Sequence, residues 1–307
     1  MKALASYIMR GPFQATMVVS ATAILSLILP FMNYFSGAAL VLVTLRQGLN
    51  AGLIILVSSS AIFGVFTYFF TSLAQVPLAV FGFVVLLGMV WGLGAVLRYS
   101  RSLPNTLVVA GGFGILFVLI IYAVTDPVLM WQQATLEFFA PVLEQADEQS
   151  RTVLNQQIAE ASQYITGIFA AAIVLNCAVC LFLGRWWQAL MYNPGGFQQE
   201  FHNLRFGNAF AIFTGIVGIV SFVPAGHISA LANELFSVVL ILYYLQALAV
   251  AHAIVKMKKM STAWLVALYA LSIVLLKLIA VIGFVDTWTN FREKVRASIS
   301  RGGNGPN

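Results

Sequence analysis

The sequence predicts an all-α membrane protein: a polytopic transmembrane helical bundle of about eight to nine membrane segments with an amphipathic extracytoplasmic helical hairpin. Three observations carry that expectation. Hydrophobic residues make up 61% of the 307-residue chain and charged residues only 8%, whereas a soluble domain carries about 25% charged residues. Mean hydropathy is +0.93. Long runs nearly free of charge recur at 15–32, 49–70, 76–97, 105–124, 162–183, 207–223, 236–255 and 262–284, and a bilayer core takes about 20 apolar residues in helical form.

Taken in order, the first run follows Lys2 and Arg10 and ends in Pro30-Phe31-Met32-Asn33-Tyr34 without a small-x-small cleavage site. It reads as a retained anchor helix. The short stretch Gly37–Leu45 spans about half a bilayer at 1.5 Å per residue, so it crosses or half-crosses inside a protein environment. The turn after it, Arg46-Gln47-Gly48-Leu49-Asn50-Ala51-Gly52, carries polar groups next to small residues. That is how membrane proteins often build a binding site; a plain cytoplasmic turn with a snorkelling Arg46 is the bland alternative. The three runs from 49 to 124 are spans joined by short connections.

The connection 126–161 carries Asp126, Glu137, Glu144, Asp147, Glu148 and Glu160 against Arg151 alone. Phe138, Phe139, Val142, Leu143 and Ala146, then Val153, Leu154, Ile158 and Ala161, recur near the helical period. Two amphipathic helices turning near Gln149-Ser150 are expected, lying on the outer surface with a solvated acidic face. In the next run, Cys177 and Cys180 form a C-x-x-C without a basic neighbour to lower their pKa, which marks small packing residues. The pairs Gly48/Gly52, Gly88/Gly92 and Gly215/Gly218 and the cluster Gly111/Gly112/Gly114 offer surfaces for close helix approach.

Basic residues sit singly or in short groups at segment ends, which is the pattern of topology signals rather than of a phosphate-tracking stripe. The net charge of +6 therefore does not imply nucleic acid. A cytoplasmic N-terminus puts Arg46, Arg98, Arg101, Arg185, Arg205 and the Lys256–Lys259 cluster inside and the acidic connection outside. The tail breaks the pattern, since parity puts Arg292, Lys294, Arg296 and Arg301 outside. Either the last segment is broken or re-entrant, or the tail is an external interfacial helix. The domain reading is one membrane domain over 1–291, including 126–161, and a basic, partly disordered tail over 292–307.

Intramembrane ionisable residues are costly and mark function by default. Lys277 lies within the last run, and Glu234 near the start of the preceding helix. The two could form a structural ion pair, belong to a substrate or ion site, or snorkel separately. No H-E-x-x-H, G-x-S-x-G or Walker sequence occurs, and His202, His227 and His252 are too far apart for a local metal motif. No enzyme and no cofactor is indicated.

Two stretches carry a family likeness. Trp91-Gly92-Leu93-Gly94-Ala95-Val96-Leu97-Arg98-Tyr99-Ser100-Arg101-Ser102 and Gly283-Phe284-Val285-Asp286-Thr287-Trp288-Thr289-Asn290-Phe291-Arg292 resemble a helix end and the C-terminal signature of the YybS-like family of uncharacterised bacterial membrane proteins. Leu245-Gln246-Ala247-Leu248-Ala249-Val250 resembles a third family helix, with Ala247 in place of its glycine. The resemblance implies a membrane fold distantly similar to the substrate-binding S-components of energy-coupling-factor transporters and to the rod-shape protein MreD. From the residues themselves, Asp286 and Arg292, six apart, do not face each other on one helix; an N-cap-like Asp opening an amphipathic tail helix is the expected role.

The functional expectation is a multi-pass protein of a bacterial cytoplasmic membrane. It binds a small or amphiphilic ligand as a transporter or its substrate-binding subunit, through Arg46, Gln47, Asn50, Glu234, Gln246 and Lys277. The alternative is a non-transporting envelope scaffold similar in role to MreD. Membrane lipids, such a ligand and a membrane-protein partner are the expected contacts. A binding protein should enclose a polar-lined cavity at midplane, whereas a scaffold should be packed solid there.

Overall fold

Inside a bilayer every backbone N–H and C=O must find its partner within the protein, and the helix does this locally. The computed structural model, described over residues 1–224 and 226–302, forms fourteen α-helices and no strand among those residues. Six of the helices are long and apolar enough to cross a membrane. Large apolar side chains such as Phe69, Phe222 and Ile273 point outward, as lipid contact requires.

The 15–32 run is not one span. Helix α1 (Lys2–Ile8) precedes α2 (Pro12–Leu25), and a 3-10 turn at Pro30–Met32 leads into α3 (Asn33–Gln47). The stretch Gly37–Leu45 is thus the middle of a fifteen-residue helix, buried without interruption from Ser36 to Leu45. The Ser36 hydroxyl donates to Val19 C=O at 3.0 Å, so α2 and α3 pack as an antiparallel hairpin. Helix α4 (Leu49–Phe70) follows after Gly48, whose φ of +107° lies where only glycine is unstrained. Next come α5 (Val76–Ser100) and α6 (Leu103–Val124).

The acidic connection forms α7 (Pro127–Gln145) and α8 (Glu148–Ser162), which contact one another. The turn falls at Ala146-Asp147 rather than Gln149-Ser150, because Asp147 caps α8 by accepting the Ser150 N–H. That hydrogen-bonding with Ser150 holds the Asp147 carboxyl below its usual range. Arg151 donates to the C=O groups of Leu143, Glu144 and Ala146, satisfying the last carbonyls of α7.

Helix α9 (Ile165–Tyr192) runs parallel to α3. Asn33 donates to Asn176 at 2.8 Å, Gly37 abuts Cys180 and Gly184 abuts Ala38 and Val41, and Arg46 lies over Tyr192. The tip of the α2–α3 hairpin is therefore level with Asn176, about three turns into α9. The hairpin enters and leaves at the end of the bundle where α9 finishes.

After α9 the short α10 (Gly196–His202) turns back, and an extended segment leads to α11 (Asn208–Phe222). At fifteen residues α11 is too short to cross alone. It begins level with the interior of α12 (His227–Met257): Phe206 N–H donates to Gln246 Oε1 at 2.8 Å, and Phe210 stacks on Tyr243. Helix α12 is the central element, buried from Val238 through Val250.

The last long helix, α13 (Ala263–Thr289), is bent at Leu275, whose φ/ψ of −106°/23° is not helical. His252 meets Tyr269 on α13, and Gln246 meets Gly283, Asp286 and Thr287. Along α13 those contacts are about four turns apart, but along α12 only about two. A straight antiparallel helix would advance equally on both. The last segment is thus bent rather than straight, as the first of the two readings expected. Helix α14 (Phe291–Gly302) starts beside His202 and Leu204, at the end that carries Arg185 and Lys256. Of the tail expected to be partly disordered over 292–307, residues 303–307 lie outside the described residues.

Candidate functional site

The basic residues that end α3, α5 and α9 converge. Arg46 sits in the last turn of α3 and Arg98 in that of α5, while Arg101 occupies the left-handed cap after α5 (φ 51°). Arg185 comes from α9 and Glu200 from α10. Together with Gln188 and Tyr99 they line an open cavity of about 590 Å³. The Arg98 guanidinium donates to Leu45 C=O, one of the carbonyls that the end of α3 leaves without an intrahelical partner. Arg185 pairs in two-pronged fashion with Glu200, the Nε–Oε2 bond being 2.9 Å. The Arg46 guanidinium lies 3.8 Å from the centroid of the Tyr192 ring, a stacking that leaves its edge donors free.

Four guanidiniums thus face the single carboxylate of Glu200 among the lining residues. The C-termini of α3 and α5 each subtract roughly half a unit of positive charge, which leaves a clear positive excess. Three of the four, Arg46, Arg98 and Arg101, have no carboxylate partner among the described residues. Such a cavity can hold an anion by charge-assisted, geometrically specific hydrogen bonds.

The six residues singled out from the sequence do not assemble into one site. Arg46 lines the cavity. Gln47 and Asn50 are exposed beyond it. Gln246 lies in the protein interior at 0% exposure and is fully engaged, accepting from Phe206 N–H and donating to Gly283 C=O at 2.8 Å. Glu234 is 2% exposed and accepts the backbone N–H of Gly167 on α9. It does not pair with Lys277, which is exposed on the outer face of α13. Of the three readings of these residues the ion pair is thus corrected: Gly283, six residues beyond Lys277, already packs on Tyr243 and Ala247, more than two turns along α12 from Glu234. We expect Lys277→Met to leave the thermal unfolding midpoint in detergent unchanged or raised, since a lipid-facing ammonium gains nothing from its surroundings. Glu234→Ala, in the same measurement, should lower it by orphaning the Gly167 N–H, an effect of about 1–3 kcal/mol.

Asp286 and Arg292 do meet, against the reading that six-residue spacing keeps them apart. Asn290 adopts φ 46°, ψ 62° and ends α13. The chain then folds back, so that Arg292 Nη2 lies 2.6 Å from Asp286 Oδ2. Asp286 Oδ1 accepts the N–H of Phe291 at 2.9 Å, giving the expected capping role as well. Arg292 Nη1 donates to His202 C=O (2.8 Å) and Leu204 C=O (2.9 Å), and Arg205 donates to Thr287 C=O. The cluster ties α12, α13, α14 and the α10–α11 connection together. Its visible groups are all satisfied within the protein, which makes it an internal clasp rather than an open binding site.

Near the hairpin tip, the cavity beside Asn33 and Asn176 measures only about 20 Å³, room for about one water. The Asn33–Asn176 hydrogen bond was not singled out from the sequence. An asparagine in each of two apolar stretches was the available signal, but nothing local paired them.

Compared with known proteins, the chain matches no family model, and no curated protein or solved structure is significantly similar to it. The fold and site together define a helical membrane protein with an arginine-lined cavity at its basic end.

Proposed function

We propose that this is a multi-pass protein of a bacterial cytoplasmic membrane, with a cytoplasmic basic end, that binds an anionic small or amphiphilic ligand. The positive-inside rule assigns the sidedness: Arg46, Arg98, Arg185, Lys256 and Arg292 gather at one end, and the acidic α7–α8 pair at the other. The carrying observation is the cavity of about 590 Å³ with four arginines and one carboxylate. Basic pockets between transmembrane helices on that side suit phosphate-bearing headgroups. The role is binding, as the substrate-holding part of a transport system, with no chemistry on the ligand. Kinship with the YybS-like family belongs to the same proposal.

The binding residues are Arg46, Arg98, Arg101, Arg185 and Gln188, of which the sequence had singled out Arg46. A second reading, an envelope scaffold, is favoured by one specific observation: the interior groups Gln246, Asp286 and Arg292 are satisfied by the protein itself. Native mass spectrometry of the detergent-purified protein, with extraction of whatever is bound, separates the readings. A stoichiometric phosphate- or carboxylate-bearing molecule, depleted in the double variant Arg46→Gln/Arg101→Gln, is the expected result. A clean apo mass, or bound material unaffected by those changes, would reject the binding role in favour of the scaffold.

A further inference from the structure

The three guanidiniums without a carboxylate partner, those of Arg46, Arg98 and Arg101, come from the ends of only two helices, α3 and α5. Each is held before any ligand arrives. Arg46 lies over the Tyr192 ring, 3.8 Å from its centroid. Arg98 is anchored by its bond to Leu45 C=O. Arg101 has a left-handed backbone (φ 51°), and its N–H donates to Leu97 C=O at 3.0 Å. Glycine or asparagine usually takes that cap position; here it is an arginine that lines the same cavity as the other two. Donors fixed in advance lose little freedom when a ligand binds.

The charge balance of the cavity sets the valence of its ligand. Arg185 and Glu200 neutralise each other, so the other three guanidiniums decide the sum. The carbonyl ends of α3 and α5 offset roughly half a unit each, which leaves about two positive charges. A monoanion leaves the cavity positive. A dianion closes the balance.

Acceptor geometry then selects among anions. A carboxylate offers two oxygens in one plane, and a phosphate diester offers two non-bridging oxygens with a single charge. A phosphate monoester offers three terminal oxygens and carries about 1.5 to 2 charges at neutral pH. Three guanidinium forks meet three oxygens most completely in that group. Glu200 keeps the number of available forks at three. Its two-pronged hold on Arg185 withholds the fourth guanidinium, which would suit the second carboxylate of a dicarboxylate.

Building on the anion-binding role of the cavity, on which this assignment rests, we propose that it selects a phosphate monoester. Arg46, Arg98 and Arg101 bind the dianion, and Glu200 disfavours dicarboxylates by occupying Arg185. A soluble phosphate ester and a phosphatidate-type lipid headgroup share this chemistry.

Isothermal titration calorimetry of the full-length protein in non-ionic detergent at neutral pH tests the assignment. The monoester probes are glycerol 3-phosphate and dioctanoyl phosphatidate. Glycerophosphoglycerol and dioctanoyl phosphatidylglycerol are the matching diesters, and succinate is the dianion without phosphate. At least one monoester should bind saturably at one site per chain. It should bind about tenfold or more tightly than its diester and succinate, the scale of one charge-assisted hydrogen bond. Binding of phosphatidate alone assigns a headgroup, whereas binding of glycerol 3-phosphate assigns a soluble ester. Arg101→Gln should weaken the monoester about tenfold, again one such bond. Glu200→Gln should tighten succinate more than the monoester, a change of preference that a merely structural Glu200 would not produce. The ranking of probes is read on the wild type, so it stands even where a variant does not fold. Equal or tighter binding of the diester or succinate would leave an anion-binding cavity but overturn the monoester assignment. A preference unchanged in Glu200→Gln would overturn the part given to that residue. No saturable binding by any probe, or binding unaffected in Arg46→Gln/Arg101→Gln, would reject the anion-binding role and this assignment with it.

Discussion

Replacing Asp286 by alanine should cost about 3–5 kcal/mol of stability, the range for removing one partner of a buried ion pair. The magnitude follows from what is left behind. Asp286 is 0% and Arg292 5% exposed, so the variant strands a guanidinium in the interior and removes the acceptor for the Phe291 N–H. Arg292 would keep its bonds to His202 and Leu204 C=O, but neutral carbonyls do not balance its charge. The double variant Asp286→Ala/Arg292→Ala should recover part of the loss, because no unpaired charge then remains. Thermal unfolding in detergent measures both. A double variant as unstable as the sum of the singles would show that the two residues act independently, contrary to the geometry. Asp286→Asn should fall between wild type and alanine, since it keeps an acceptor and loses only the charge.

Gly283→Ala should be almost as damaging, at about 1–3 kcal/mol or more, the cost of overpacking a filled interior. A methyl at Gly283 would run into Tyr243 C=O and the Ala247 nitrogen, both backbone atoms of the central helix that cannot rotate aside. Relief would require α13 to shift outward, which would also pull Asp286 and Thr287 away from Gln246. Gly82→Ala provides the control, because nothing lies within 4 Å of its added carbon and alanine is the better helix former. It should be neutral or slightly stabilising in the same assay. Equal effects at the two positions would mean that the α12–α13 crossing is looser than its backbone contact indicates.

These two positions also show where sequence reasoning stopped. Glycines 52, 111 and 114 of the sets that the sequence suggested do sit tightly, against Thr44, Leu242 and Val174, but glycines 283, 167 and 184, which meet backbone atoms of the facing helix, lie outside those sets. Several members of those pairs, Gly88, Gly112 and Gly215, have open space around them. Spacing identifies a small face, but only the neighbouring helix decides whether that face is used. The close approach at Ala247 is supplied by Gly283 of α13. The Asp286–Arg292 pair was missed for a related reason. On a continuous helix residues six apart are about a third of a turn out of phase, and the left-handed Asn290 that realigns them left no clear mark in the sequence.

The arginines of the cavity were each visible as helix-end charges, and Arg46 was singled out. Their convergence was not visible. It depends on α3 and α5 running parallel to α9 and stopping at one level, whereas the sequence alone gives no pairing between helices so far apart along the chain. The opposite error placed Lys277 in the interior. An apolar run on both sides of a lysine reports membrane depth, not whether the residue faces protein or lipid.

Composition and periodicity by themselves determined that this chain is a bundle of helices in a membrane, where its long apolar runs lie, and that its acidic connection is helical. Those properties follow from the solvent: a bilayer demands local backbone hydrogen bonding and long apolar stretches, and both are written residue by residue. Tertiary structure alone decided that the first run turns back as a hairpin, that α11 starts at depth, that α13 bends, and that the basic tail joins the other basic ends. Each of these depends on contacts between distant segments. Packing of one apolar surface on another selects among paths that are equally apolar and equally helical, so hydropathy cannot distinguish them.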